Sequence, residues 1–85
     1  MASVQAPPDV FTELADLFAS GPTHEQLLKY RPSKALQRRA RDLLAKQGEE
    51  SLAEEEKLEL DEFVQAELFM RLVKAKVHAR RARKQ

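Results

Sequence analysis

Three glutamates near the start of the last predicted helix have the spacing that chemistry would need. Glu55, Glu59 and Glu62 follow one another at i, i+4 and i+7, so a helix places them on one face. Carboxylates on one face can bind a divalent cation or exchange protons with a substrate. A metal site would also need ligands from other helices, where the inward positions are apolar or basic. We therefore expect no metal site and no cofactor, and interpret the cluster as a solvated helix start.

The rest of the sequence contains few residues of the types that enzymes use for catalysis. Its only histidines are His24 and His78, and it contains no cysteine. Gly21 and Gly48 are its only glycines, so a glycine-rich phosphate loop is excluded. We expect no catalytic residue and no small-molecule substrate, and we predict that the protein is not an enzyme.

Length and composition favour one small domain. A chain of 85 residues has a limited core, which self-association or a partner would supplement. Residues 1–8 lack the positive charge and the apolar stretch of a signal peptide. No segment approaches the ~20 apolar residues that a membrane span needs. We expect a soluble cytoplasmic protein without a membrane partner.

The net charge of +1 conceals blocks of opposite sign. Residues 29–46 contain seven bases and one acid, residues 49–62 contain eight acids and one base, and residues 71–85 contain seven bases and no acid. Blocks of this kind pair across neighbouring helices or form solvated faces. The sequence therefore leaves two interpretations of these blocks, charge complementarity between adjacent helices and solvated faces.

Start and stop signals divide the chain into four helices. Asp9 favours the start of the first helix, which Gly21 ends. Thr23 and Gln26 have the spacing of a capping box, which opens a short second helix. Ser33 is the predicted cap of the third helix.

The third and fourth helices are expected to form an antiparallel hairpin. The third ends near Gln47 with Gly48 as its stop, and Ser51 with Glu54 has the spacing of another capping box. The predicted inward residues of the third helix are Leu36, Ala40, Leu43 and Leu44. We predict an all-α fold, a small helical bundle with a long C-terminal helix. Its parts would be a flexible arm at 1–8, one helical domain at 9–79 and a basic frayed tail at 80–85.

The last helix is apolar on two faces. At 100° per residue, one face, here called the leucine stripe, contains Val64, Leu68, Leu72, Ala75 and Ala79. The other face, here called the aromatic stripe, contains Phe63, Ala66, Phe69, Met70, Val73 and Val77. A surface helix needs only one such stripe to face its core. The aromatic stripe therefore either joins the core or is partly exposed and docks a partner helix.

Three motifs of the hairpin resemble a group of short, poorly characterised helical bacterial proteins. The motifs are Leu52-Ala53-Glu54-Glu55-Glu56, Glu59-Leu60-Asp61-Glu62-Phe63 and Leu72-Val73-Lys74-Ala75-Lys76. The group has Leu-Thr-Pro-Glu-Glu, then Glu-Leu-Asp-x-aromatic, then Leu-x-Lys-Ala-(Lys/Arg). Thr and Pro are replaced here by Ala53 and Glu54, so we expect the cap to move back to Ser51. The resemblance implies a helical partner encoded beside a nuclease or a toxin-like protein, with an antitoxin- or immunity-like role.

Two functions are consistent with these patterns. The first is a protein-interaction module that docks a partner protein, or itself as a homo-oligomer, through the aromatic stripe. The alternative is an accessory protein that binds nucleic acid. Its candidate cations are Arg38, Arg39, Arg41, Lys74, Lys76, Arg80, Arg81, Arg83 and Lys84. Because the chain contains no asparagine, such binding would be mostly electrostatic.

Overall fold

Four helices make up most of residues 9–83, the part of the chain that the computed structural model describes. They are α1 Val10–Ala19, α2 His24–Lys29, α3 Lys34–Gly48 and α4 Glu54–Arg83. No strand occurs in that part, which confirms the all-α prediction. None of the helices in it is long and apolar enough to cross a bilayer. The predicted arm at 1–8 lies outside the described residues, as do Lys84 and Gln85.

The predicted signals at both ends of α1 and at the start of α2 are confirmed. Asp9 Oδ1 accepts a hydrogen bond from the Thr12 N–H at 2.7 Å. Gly21 follows α1 with a φ of 67°, a conformation that glycine adopts without steric cost. The Thr23 N–H donates to Gln26 Oε1 at 2.9 Å, and the Gln26 N–H donates to Thr23 Oγ1 at 3.1 Å. These bonds satisfy backbone donors that a helix leaves unpaired.

The end of α3 differs from the prediction. Gly48 is its last helical residue, and Glu50, not a glycine, takes the left-handed conformation with a φ of 58°. The backbone N–H and the hydroxyl of Ser51 then donate to Lys46 O at 2.9 and 3.3 Å. Ser51 therefore caps the carbonyl end of α3 and does not open α4.

Ala53 directly precedes α4, which begins at Glu54, so the predicted capping box of Ser51 and Glu54 is wrong. The Ala53 N–H donates to Glu56 Oε1 at 3.0 Å, which is one half of a capping box. In the other half, the side chain of the capping residue would accept a hydrogen bond from the Glu56 N–H, and alanine has no acceptor for it. The cap thus stays where the bacterial group has its threonine.

The C-terminal end of α4 extends into the segment predicted as a basic frayed tail. The helix has 30 residues and includes Arg80–Arg83. At 1.5 Å per residue its length is about 45 Å. Arg81 Nη1 lies 3.5 Å from Glu25 Oε1 and so links this end of α4 to α2.

Charge pairs fix the direction of the α3–α4 hairpin. Arg39 forms two 2.8 Å hydrogen bonds with the carboxylate of Glu59, and Lys46 Nζ lies 2.6 Å from Glu56 Oε2. A later residue of α3 thus contacts an earlier residue of α4, as an antiparallel pair requires. Leu43, which has no exposed surface, lies between these two pairs in sequence. The predicted hairpin is confirmed.

The core forms where α1 and α3 meet α4. Its buried residues are Val10, Leu14, Leu36, Ala66 and Met70. The partly buried residues packed against it are Leu17, Tyr30, Phe63 and Val73. The predictions that Leu36 and Leu43 face the core are confirmed. The same prediction for Leu44 is wrong, because Leu44 is 53% exposed. Leu44 follows Leu43 directly, so a rotation of about 100° turns it away from the core.

A polar cluster attaches the α2–α3 connection to its neighbours. The Tyr30 hydroxyl donates to Glu13 Oε2 at 2.6 Å, and the Ser33 N–H donates to the same oxygen at 3.0 Å. Lys74 Nζ donates to Tyr30 O at 3.1 Å. Burial, reinforced by the hydrogen bond and the charge of Glu13, raises the pKa of Tyr30. These contacts hold α2 against α1 and α4.

The described molecule is thin. Its principal extents are 50, 36 and 17 Å. The axes of packed helices lie about 8–10 Å apart, so the shortest dimension accommodates no more than two helix layers. The other helices therefore cover one side of α4 and leave its opposite side in solvent.

Candidate functional site: the leucine stripe of α4

The aromatic stripe is the inward face of α4. Its members Ala66 and Met70 are 2% and 6% exposed, and Val77 is also buried. Phe63 and Val73 are half-buried, and only Phe69 is open to solvent. A partner cannot contact side chains that the chain itself covers. The prediction that this stripe docks a partner is therefore wrong for its buried members, because α1, α2 and α3 already occupy it.

Phe69 stands at the edge of that inward face. Its ring lies edge-on to the ring of Phe18 in α1, with 6.1 Å between centroids and 75° between planes. Such T-shaped pairs are favourable for aromatic rings. Phe69 thus contributes to the contact between α1 and α4, and because it is 46% exposed its predicted docking role stays a prediction.

The leucine stripe is the exposed face of α4. Val64 is 45% exposed, Leu68 is 50% and Leu72 is 53%, and Ala75 and Ala79 also face solvent. The stripe spans about 22 Å along the helix at 1.5 Å per residue. It is a row of apolar side chains that the described residues leave about half-exposed, and it lies on the face of α4 opposite the core.

The exposed apolar surface continues from α4 onto α3. A shallow cleft of about 230 Å³ is lined by Leu44, Leu52, Leu60 and Val64, with Gln47 and Asp61 at its edge. Leu44 thus extends the N-terminal end of the leucine stripe sideways. The prediction that Leu44 faces the core is therefore wrong, and its side chain is part of an exposed surface.

Charged side chains border the leucine stripe. Arg71 Nη2 lies 3.5 Å from Glu67 Oε2 on one flank, and both side chains are largely exposed. Asp61 and Lys76 are also exposed beside it. An apolar centre with a charged, solvated border is the usual composition of a protein interface.

A second concave surface lies on the core side of the molecule. This open groove of about 570 Å³ has Arg31, Arg41, Arg71 and Lys74 at its border, beside Glu67. Its apolar floor includes Val10, Leu14, Leu36 and Met70. None of these four is more than 6% exposed, so the floor offers a partner little surface beyond what the core already uses.

Part of the predicted nucleic-acid surface is already paired within the chain. Arg39, Lys74 and Arg81 bind Glu59, the Tyr30 carbonyl and Glu25 of the chain itself. The exposed candidates are Arg38, Arg41, Lys76, Arg80 and Arg83. Arg39 meets α4 at Glu59, and the residues from there to Arg80 extend about 32 Å along the helix. Arg80 therefore lies far from Arg39, whereas Arg41 and Lys74, one from each basic segment, border the same groove. Binding of nucleic acid stays a prediction. Lys84 lies outside the described residues.

The three glutamates of the acidic helix start do not act together. Glu59 is bound to Arg39, and that hydrogen bond lowers the pKa of Glu59. A hydrogen bond from Lys46 likewise lowers the pKa of Glu56. Glu55 and Glu62 are exposed. Among residues 9–83, no group of His, Cys, Asp or Glu side chains has the arrangement of a metal site.

The resemblance to short bacterial hairpin proteins stays a prediction carried by its motifs. Two of them lie on α4, where Glu59 binds α3 and Leu72 belongs to the leucine stripe. The first motif includes Ala53, which directly precedes that helix, and the first residues of the helix itself. No family model matches this chain, and no curated protein or solved structure matches it.

Proposed function

We propose that the chain is a non-enzymatic helical protein-interaction module that docks a partner chain through the leucine stripe. The observation that carries this proposal is the half-exposed row of Val64, Leu68 and Leu72 on the face of α4 opposite the core. Full burial of such a side chain contributes about 1.5–3 kcal/mol, so a partner that covers the row gains affinity from several residues at once.

The shape of the stripe favours a helical partner. Its members are separated by four, four, three and four residues, close to the 3.6 residues of one helical turn, so they form a nearly straight row along α4. The row is narrow and about 22 Å long at the helical rise. A helix laid beside α4 can interdigitate with it over this whole length.

The small size of the chain supports the same function. A domain of this length buries a smaller fraction of its surface than a larger protein does, so a docked helix adds proportionately more to its apolar core. The thin shape leaves α4 as both a core element and an outer surface. Docking on the leucine stripe would place α4 between two helical layers.

Site-specific photocrosslinking in cells tests the proposal. A photoreactive amino acid at Leu68 should form discrete adducts with a protein, because the side chain at this position lies inside the proposed contact. The matched control is Leu58, a leucine of the same helix that is 69% exposed but lies outside the stripe. The proposal is overturned if Leu68 gives no discrete adduct, or if Leu58 gives the same adducts at equal yield.

A further inference from the structure

We propose that the partner of the leucine stripe is a second copy of this chain, with the two α4 helices side by side and antiparallel. This inference rests on the proposed function and names its partner. It is carried by two independent gradients along α4, one of side-chain size and one of charge.

Side-chain size decreases along the leucine stripe. Val64 and Leu68 occupy its first half, and Ala75 and Ala79 occupy its second half. An antiparallel copy centred between residues 71 and 72 brings Val64 opposite Ala79 and Leu68 opposite Ala75. Large side chains then face small ones, which is how packed helices interdigitate. A parallel copy would instead place alanine on alanine and leave a gap at one end.

The centre of this arrangement lies at Leu72. Each Leu72 would meet the same residue of the second copy near the two-fold axis, and at 53% exposure it has surface to bury there. Arg71 lies close to the same axis. Its guanidinium is already 3.5 Å from Glu67 of its own helix, which offsets the repulsion between the two arginines.

Charge changes sign along α4. Its first half contains seven acids and one base as far as Glu67, and its second half, from Arg71 onwards, contains no acid. Glu56 and Glu59 are held by Lys46 and Arg39 of α3, whereas Asp61 and Glu62 are exposed. An antiparallel copy brings the acidic half of one helix beside the basic half of the other, and Asp61 comes level with Arg83 of the second copy. A parallel copy would align like charges. Charge therefore selects the same direction as side-chain size.

The expected dimer is reversible. Its contact consists of one helix face from each copy, extended at the ends by Leu44 of α3. Standard protein interfaces bury about 1,200–2,000 Å² in total, and a single pair of helix faces supplies less. The dimer should therefore form progressively as the protein concentration rises.

Sedimentation velocity of the full chain over a concentration series tests the association. The wild-type chain should shift from monomer to dimer, and Leu72→Asp should weaken the dimer by roughly tenfold or more, because it buries a charge at the axis. Leu58→Asp is the matched control and should leave the dimer unchanged. Circular dichroism should give wild-type helicity for both variants. A dimer equally weakened by both variants, or by neither, overturns the inference.

Single cysteines test the direction, since the natural chain contains none. Oxidation of Leu72→Cys should give a disulfide-linked dimer. Val64→Cys should not link to itself but should link to Ala79→Cys when the two variants are mixed. A parallel dimer would give the reverse result, with each of these two variants linked to itself and no mixed product, and would overturn the proposed arrangement.

The two proposals fail in different ways. A chain that is monomeric at every concentration, but whose Leu68 crosslinks to another protein in cells, overturns the inference and leaves the proposed function standing. A monomeric chain without discrete crosslinks overturns both. A nucleic acid crosslinked at Leu68 in place of protein would also overturn both.

Discussion

The two apolar stripes of α4 contain similar residues and lie in opposite surroundings. Met70 in the aromatic stripe is 6% exposed, whereas Leu72 in the leucine stripe, two residues later, is 53% exposed. The aromatic stripe is covered by α1, α2 and α3, and the leucine stripe by none of the described residues. One helix thus supplies both the core of the monomer and its candidate docking surface. Substitutions in the aromatic stripe should therefore lower the free energy of unfolding, and substitutions in the leucine stripe should weaken association.

The largest expected contrast is between Met70→Ala and Leu72→Ala. Truncation of buried Met70 should lower the free energy of unfolding by about 2–5 kcal/mol, because it removes core contacts and leaves a cavity. Truncation of Leu72 should change it by no more than about 0.5 kcal/mol, as is usual for a surface residue. Denaturant titration at a concentration where the chain is monomeric measures both. Equal losses would mean that the two stripes are not distinct.

Enlarging an alanine gives a second contrast. Ala66→Leu should cost about 1–3 kcal/mol of unfolding free energy, because Ala66 is 2% exposed and the added atoms have no room. Ala75→Leu adds the same atoms in solvent and should leave the monomer as stable as the wild type. Thermal unfolding of the two variants, followed by circular dichroism, measures this difference. Tolerance of leucine at position 66 would show that the inward face is loosely packed.

A smaller effect is expected at the ion pair that fixes the hairpin. Arg39→Ala should lower the free energy of unfolding by about 0.2–1 kcal/mol, since the pair is partly exposed and screened by solvent. Arg38→Ala, at the exposed neighbouring residue, is the control and should have a smaller effect. A double-mutant cycle of Arg39 and Glu59 isolates their coupling. Absence of coupling would mean that the pair does not hold α3 against α4.

The smallest effect concerns pH. The hydrogen bond from Arg39 lowers the pKa of Glu59 below its ordinary value of 4.5 in the folded chain. Its stabilisation is therefore fully present above that value and is lost as pH falls through the lowered pKa. Urea titrations between neutral pH and pH values below 4.5 should show this loss in the wild type, and a smaller one in Glu59→Gln. An identical loss in both proteins would contradict the role of Glu59.

Local signals were sufficient to predict the helices. Asp9, Thr23 and Ser33 cap their helices as expected, because each cap depends only on residues within one turn. The prediction that Ser51 caps α4 is wrong, because the left-handed conformation of Glu50 turns Ser51 back towards the end of α3. A left-handed glutamate has no sequence signal comparable to that of glycine.

The orientation of α4 was not predicted, because both stripes are wide enough to face a core. One signal for it was present in the sequence. Glu59 lies on the same face as Phe63, Ala66 and Met70, at alternating spacings of four and three residues. A pairing of Glu59 with Arg39 therefore turns the aromatic stripe towards α3 and the leucine stripe away from it. The sequence does not show that the leucine stripe stays exposed, since its exposure depends on whether another element of the chain packs on it.

Thiol labelling of two matched variants tests most directly whether α4 serves as core on one face and as interface on the other. Ala66→Cys and Ala75→Cys make the same change at a buried and an exposed position of one helix. In dilute solution the cysteine at 75 should react rapidly and the one at 66 slowly, and concentrating the protein should slow labelling at 75 alone. Equal rates at the two positions in dilute solution, or a rate at 75 that is unchanged on concentration, would contradict this account.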